Sequence, residues 1–199
     1  MQPQEKYSLN EKLTLEEYLK LEQENDQKYE YYDGQAYAMA GGSFNHNIIN
    51  GNVYTDINIA LRGKECITMN SDTKLYIESS NSYVYPDLMV VCGGLEASEN
   101  YTDALINPVI VVEVVSKSTE AHDRSDKFKL YRTISSLRYY VLIKQDKIQI
   151  DVYHRKTPTS LWSIKTIEGV DKSLELIISP IETLIIPLKN IYDKVVFEK

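Results

Sequence analysis

The 199-residue sequence predicts a single α/β domain built on a mixed sheet. The runs at 83–92 and 109–115 are so apolar that both faces of each strand must be covered, as in central strands of a sheet. Other segments repeat apolar residues at helical spacing, which predicts the covering helices. With 43% hydrophobic and 26% charged residues and no linker or internal repeat, we expect one domain over residues 1–199.

The first predicted elements are a helix and a β-hairpin. A short amphipathic helix lies within the segment 8–25, with Thr14 as N-cap and Glu17 three residues later, a capping-box pattern. Asp33 and Gly34 stand between two short β-prone pieces, which predicts a hairpin over about 29–39.

A longer helix and the central strands follow. Gly41 and Gly42 end the hairpin, Ser43 can cap, and helical spacing continues to Gly63. Strands are predicted at 66–69, 73–77, 83–92 and 109–115, with a polar loop over 93–107. A helix over about 118–133 and strands at 138–144, 147–154 and 161–167 come next, and a short strand and terminal helix end the chain.

Some classes of protein fit the sequence poorly. No stretch is long and apolar enough to span a membrane, and the N-terminus lacks a signal pattern, so we expect a cytoplasmic protein. Cys66 and Cys92 form no metal-binding motif, and we expect two reduced, buried thiols.

The charge of the chain is unevenly distributed. The net charge is -7, yet residues 117–156 carry ten basic and five acidic side chains. That segment is therefore +5 and the rest of the chain is -12. This asymmetry is compatible with a surface that faces a polyanion, or with an ordinary solvated face of a helix or strand.

Two carboxylates are the candidate chemistry. Asp87 follows Pro86 at the head of one predicted strand, and Glu113 lies inside the next, in the run VIVVEVV. On adjacent antiparallel strands the two side chains can share a face, and such a pair suits Mg²⁺ or Mn²⁺. The competing interpretation is that Asp87 caps a turn and Glu113 pairs with a lysine or arginine.

The predicted helix after Glu113 adds a cation. Asp123, Lys127 and Tyr131 are spaced one helical turn apart and share a face. A lysine beside a bound phosphate stabilises the charge that develops there.

These motifs resemble the domain-of-unknown-function 820 family, described as "putative restriction endonucleases" of the PD-(D/E)XK nuclease superfamily. The similar segments are YEYYDGQAYAMAGGSFNHNIINGNV, YPDLMVVC, NPVIVVEVVSKSTEAHDRSDKFKLYRTISSLRYYVLI and IQIDVYHR, within about 14–195. The resemblance implies a restriction-endonuclease-like mixed sheet flanked by helices and metal-dependent phosphodiester cleavage. It assigns Asp87 and Glu113 to the two acidic half-motifs.

The sequence departs from the superfamily pattern at one position, and the resemblance points to two further candidate site residues. Val115 stands where the superfamily has lysine, which points to Lys127 as the replacement, with Lys129 and Lys117 as alternatives. Glu30 matches an acidic position of the family hairpin and is a further candidate catalytic carboxylate, or a surface residue. His46 completes a G-x-S-x-x-H pattern; it either contacts phosphate or takes part in proton transfer, or it packs or caps the helix.

The predicted function is therefore a metal-dependent endonuclease. The expected catalytic residues are Asp87, Glu113, Lys127 and Glu30, with Mg²⁺ (or Mn²⁺) on Asp87 and Glu113. The expected partner is nucleic acid, in the first instance DNA, and a homodimer is expected for cutting two strands. The alternatives are a non-catalytic nuclease-like binding module, motivated by Val115 and the charge of -7, and a hydrolase of small phosphoesters.

Overall fold

A six-stranded mixed sheet is the centre of the fold. The structure, a computed structural model, describes residues 12–25, 27–99, 103–179 and 182–197. In chain order the elements are α1 (Leu15–Asn25), β1 (Tyr29–Tyr32), β2 (Gln35–Ala38), α2 (Phe44–Ala60), β3 (Ile67–Asn70), β4 (Lys74–Ile77), a 3-10 turn (Glu78–Ser80), β5 (Ser82–Val84), β6 (Leu88–Val91), β7 (Ala104–Leu105), β8 (Pro108–Val115), α3 (Glu120–His122), a π-helical turn (Asp123–Lys127), α4 (Phe128–Tyr131), β9 (Tyr139–Lys144), β10 (Gln149–His154), β11 (Ser163–Glu168), β12 (Ser173–Ser179), β13 (Glu182–Pro187) and α5 (Leu188–Ile191).

The strands form two sheets and a separate hairpin. The central sheet has the order β11-β10-β9-β8-β6-β3, in which only β8 and β9 run parallel. A five-stranded sheet, β2-β1-β5-β4-β7, carries the N-terminal hairpin, and β12 pairs with β13. The predicted mixed α/β architecture with an N-terminal helix and hairpin is confirmed, whereas the single domain over 1–199 stays a prediction.

Each face of the central sheet supports its own core. Apolar side chains of α2, such as Ile49 and Ile57, pack with those of β12, β13 and α5 on one face. On the other face, residues of β4 and β5 pack with Tyr131 and Tyr140 from the α4 and β9 side. Val111 in β8 points to one core while Val112 and Val114 point to the other, which explains why apolar residues flank Glu113 on both faces of the strand.

The predicted turns and caps have the expected local chemistry. The Thr14 hydroxyl accepts from the Glu17 backbone N–H at 3.2 Å, and the Glu17 carboxylate accepts from the Thr14 N–H at 2.7 Å. Asp33 and Gly34 have φ of 44° and 96°, the left-handed pair of a tight hairpin turn. Ser43 caps α2 by accepting from the His46 N–H. The part of the first predicted helix before residue 12 lies outside the described residues.

Three predictions about strands and helices are wrong in detail. The run 83–92 is two strands in different sheets, β5 and β6, because Pro86 has no N–H to donate and the chain changes sheets there. The loop 93–107 contains β7, which pairs parallel to β4. The C-terminal part is a two-stranded hairpin followed by a helix of one turn.

Cys66 and Cys92 are joined in a disulfide, so the prediction of two reduced thiols is wrong. The pairing of Ile67 with Val91 in β3 and β6 places the flanking cysteines opposite each other, with 4.1 Å between their Cα atoms. Strand register, which spacing did not reveal, brings them together. Within the described parts of the chain, no helix is long and apolar enough to cross a membrane.

Candidate active site

Asp87 and Glu113 meet where β6 begins beside β8. The register pairs Leu88 with Val112, so the next residues along the two strands, Asp87 and Glu113, lie side by side. The backbone N–H of Val114 donates to Asp87 Oδ2 at 2.7 Å. Asp87 therefore lies between Pro86 and the first residue of β6, outside the strand pairing, and its carboxylate is held by a hydrogen bond to the backbone of β8.

Lys127 is the cation of the site. Its Nζ lies 3.2 Å from Glu113 Oε1, 3.2 Å from Glu30 Oε1 and 3.8 Å from Asp123 Oδ1. α3, the π-helical turn and α4 form one continuous helical segment, named here the 120–131 helix. Its predicted face lies over the strand that carries Glu113.

The alternative lysines lie elsewhere. Lys129 pairs with Asp126 at 3.1 Å and Lys117 with Asp146 at 3.6 Å, and both are exposed. Of the three lysines considered, Lys127 alone contacts Glu113 in the described structure.

Two tyrosine hydroxyls support the carboxylates, that of Tyr131 buried and that of Tyr32 partly buried. Tyr131 donates to Glu113 Oε1 at 2.8 Å, and Tyr32 donates to Glu30 Oε2 at 2.7 Å. Sequence reasoning placed Tyr131 on the Lys127 face without a role, and it missed Tyr32. The signal for Tyr32 was available, since alternation on a strand puts residues 30 and 32 on one face.

His46 reaches the same site from the first turn of α2. Its Nε2 lies 3.1 Å from Asp87 Oδ2. A Cβ at Gly42 would come 2.5 Å from His46 Nδ1, so the backbone approaches the ring closely at this position, where only glycine fits without displacement. The chain therefore holds the imidazole against Asp87.

These residues enclose one cavity of about 290 Å³. Its lining includes all four predicted catalytic residues, together with His46, Asp123 and His122. His122 was not expected in the site from the sequence. The cavity is bounded by β1, β8, the start of α2 and the 120–131 helix.

Burial dominates the electrostatics of the site. Burial raises the pKa of Glu113 to about 8, with the positive charge of Lys127 opposing the rise and the carboxylates of Asp87, Asp123 and Glu30 adding to it. Burial also raises the pKa of Asp123. For Lys127 burial acts to lower the pKa, but the facing carboxylates of Glu113 and Glu30 outweigh it and the pKa lies well above its usual range.

His46 is subject to the same competition. Burial acts to lower the pKa of its imidazole, but the hydrogen bond and negative charge of Asp87 raise it above the usual value.

The donor set fits a hard divalent cation. The contacts above engage Asp87 Oδ2 and Glu113 Oε1, and the second oxygen of each carboxylate is not used by them. Across residues 12–25, 27–99, 103–179 and 182–197, no three His, Cys, Asp or Glu side chains are grouped so that they alone could hold a metal ion. Two carboxylates completed by water and substrate phosphate are what Mg²⁺ prefers.

Most cationic side chains of the basic segment 117–156 are engaged in contacts within the described chain. Seven of its ten cationic side chains bond to carboxylates or backbone carbonyls within the described chain: Lys117, Arg124, Lys127, Lys129, Arg138, Lys144 and Arg155. Arg124, for example, pairs with both Glu120 and Asp151. The pairing carboxylates that lie outside the segment are Glu30 and Glu113, both at Lys127, so contacts with the rest of the chain offset the charge of +5 mainly there.

Known proteins match both the sequence and the fold. The chain is 41% identical over 165 residues to the uncharacterized protein slr1290 of Synechocystis sp., covering 83% of this chain and 85% of that one. It is 32% identical over 163 residues to the uncharacterized protein sll1609 of the same organism, covering 82% and 92%. The crystal structure of a "putative nuclease belonging to DUF820" from Anabaena variabilis superposes with a TM-score of 0.71 at 19% identity, covering 92% of this chain and 99% of that one, and this likeness shows the fold.

The family model Uma2, described as "Putative restriction endonuclease", matches residues 15–183. This range includes the hairpin, the Asp87 and Glu113 strands and the whole 120–131 helix. The chain belongs to the Uma2 family.

Proposed function

We propose that the protein hydrolyses nucleic-acid phosphodiester bonds, in the first instance those of DNA, with Mg²⁺ or Mn²⁺ held by Asp87 and Glu113. The observation that carries this proposal is the meeting of Asp87, Glu113 and Lys127 in one cavity. Membership of the Uma2 family supports it.

Both metal-binding carboxylates are held in place by neighbouring groups. Asp87 is held by the Val114 N–H and by His46, and Glu113 is held by Tyr131 and Lys127, so each presents one oxygen in a fixed direction. A bound divalent cation supplies activation of the attacking water and neutralisation of charge at the phosphate.

Lys127 stabilises the charge that develops on the phosphate. Its raised pKa keeps the ammonium protonated at neutral pH, and it donates to a non-bridging phosphate oxygen. Glu30, fixed by Tyr32 and 3.2 Å from Lys127, keeps the ammonium in place and orients the attacking water.

The test combines metal binding with cleavage. Mn²⁺ is titrated into the protein by calorimetry, and cleavage of labelled DNA and RNA is followed in Mg²⁺ and Mn²⁺. Wild type and the exposed-carboxylate control Glu175→Gln should bind about one equivalent and cleave. Asp87→Ala and Glu113→Gln should lose both while keeping the far-UV circular dichroism of wild type. Cleavage by wild type that survives either substitution would refute the proposal.

One observation favours the non-catalytic alternative. Lys127 already faces three carboxylates, so it serves as a resident cation among them, as in a structural ion-pair cluster. A binding module of this kind should bind nucleic acid without metal and with the same affinity after Glu113→Gln. That result, with no Mn²⁺ binding, would favour the alternative.

A further inference from the structure

A second recess opens beside the catalytic cavity. It encloses about 520 Å³ and is lined by Tyr32, Tyr37, His122, Asp126, Lys129 and Leu130. His122 lines both spaces, so they adjoin at this side chain. Tyr32 links them a second time, because its hydroxyl donates to Glu30 in the catalytic cavity.

The hairpin explains why aromatic rings stand next to the catalytic carboxylate. Glu30 pairs with Tyr37 across β1 and β2, and Tyr32 lies two residues after Glu30, so all three share one face. The other face, with Tyr29, Tyr31 and Ala36, is buried against α1. The face that brings Glu30 into the cavity therefore brings the two tyrosine rings into the recess.

The Tyr32 and Tyr37 rings pack against each other and form one side of the recess. The centroids of Tyr32 and Tyr37 are 5.7 Å apart with their planes at 68°, an edge-to-face pair. Both hydroxyls make hydrogen bonds, that of Tyr32 to buried Glu30 and that of Tyr37 to the exposed Gln35 Oε1 at 2.6 Å. The Tyr32 ring, which is bonded to buried Glu30, therefore has little rotamer freedom to lose when a flat ligand packs against it.

The charges that line the recess are balanced. Asp126 lies 3.1 Å from Lys129 Nζ and 3.4 Å from His122 Nδ1. The recess thus offers aromatic and aliphatic surface with little net charge, which suits a neutral planar ring better than a phosphate.

The depth of the catalytic residues restricts the form of the substrate. Glu30, Glu113 and Lys127 are only 1%, 5% and 9% exposed. In a duplex each base is stacked and paired inside the helix, away from a recess beside the scissile phosphate. A single strand can turn one base out while its phosphate enters the cavity.

We infer that the Tyr32–Tyr37 recess binds an unpaired nucleobase next to the scissile phosphate, so that the substrate class is single-stranded or locally unpaired nucleic acid. This inference rests on the proposed phosphodiesterase function. It assigns the hairpin a role in substrate choice besides carrying Glu30.

The test measures binding separately from cleavage. Fluorescent oligothymidylate, the same strand with abasic residues, and the matching duplex are titrated by anisotropy into Glu113→Gln protein without metal. The full strand should bind at least about fivefold tighter than either the abasic strand or the duplex, the lower end of a base–aromatic stacking contribution. Adding Tyr37→Ala should weaken binding of the full strand about 5- to 100-fold, whereas Tyr37→Phe, which keeps the ring, should bind as the parent.

The abasic strand needs no change in the protein, so the test stands even where Tyr37→Ala perturbs the hairpin. Equal affinity for full, abasic and duplex probes, or absence of binding to all three, overturns the inference. Cleavage assays separate it from the proposed function. Equal cleavage of duplex and single strand, unaffected by Tyr37→Ala, refutes only the inference that the recess binds a nucleobase. Tyr37-dependent binding without any cleavage refutes only the proposed phosphodiesterase activity.

Discussion

Replacing Glu113 by glutamine tests whether the buried carboxyl is neutral in the metal-free protein. The amide keeps the shape of the protonated acid and can still accept from Tyr131 and Lys127. It removes the group whose pKa burial raises to about 8. The comparison of wild type and variant therefore isolates the cost of ionising Glu113.

The magnitude follows from proton linkage. The unfolded carboxyl titrates at its ordinary value of 4.5 and the native one near 8. Between these values the native protein holds one proton more than the unfolded chain, so the free energy of unfolding falls as pH rises, by about 1.4 kcal/mol per pH unit at most. From pH 5 to 8 the wild type should lose about 3 kcal/mol through this group.

Urea denaturation in EDTA at pH 5, 6, 7 and 8 measures the effect. Wild type and the exposed control Glu175→Gln should show the fall with pH. Glu113→Gln should show a much flatter profile, equal to wild type at pH 5 and more stable at pH 8. Parallel profiles, or a variant less stable than wild type at pH 8, would refute a neutral Glu113 and indicate a structural ion pair.

Two further substitutions test how the site is held together. Lys127→Met leaves three facing carboxylates without their cation, so it should lower the free energy of unfolding by about 3–5 kcal/mol at pH 8 and by less at pH 5, where the carboxyls protonate. The control Lys129→Met, at an exposed position, should change the free energy of unfolding in urea by less than about 0.5 kcal/mol. Equal losses in the two variants would contradict this role of Lys127. Gly42→Ala should displace His46, whose Nδ1 would lie 2.5 Å from the new Cβ, and should lower the free energy of unfolding in urea by about 1–3 kcal/mol. In the control Gly41→Ala the new Cβ has no atom within 4 Å, so stability should be unchanged. A shift of the imidazole NMR signals in Gly42→Ala and not in Gly41→Ala checks the cause.

Local chemistry made the hairpin and the α2 start predictable. A left-handed Asp33-Gly34 turn and a Ser43 cap depend on residues close in sequence, and both are present. The prediction of a single strand over 83–92 was wrong because the apolar composition of this run is the same whether it forms one strand or two. Only the crossing between two sheets at Pro86 separates β5 from β6.

Part of the candidate site was predictable from the sequence, and part of it was not. An acid in an apolar strand such as β8 needs a partner, and helical spacing put Lys127 on a face that could supply one. The contributions of Tyr32, His122 and the Asp87–His46 contact depend on distances between elements far apart in the chain. The metal, the substrate and the catalytic roles stay predictions.

The amino-acid sequence by itself was sufficient for the α/β class, most element types and a short list of candidate carboxylates and lysines. These follow from periodicity, turn chemistry and the cost of burying charge, all of which act over a few residues. Strand order, the Cys66–Cys92 pairing and the choice of Lys127 over Lys129 follow from how the sheets, hairpin and 120–131 helix pack. Register and packing depend on contacts between distant segments, which spacing along one chain does not specify.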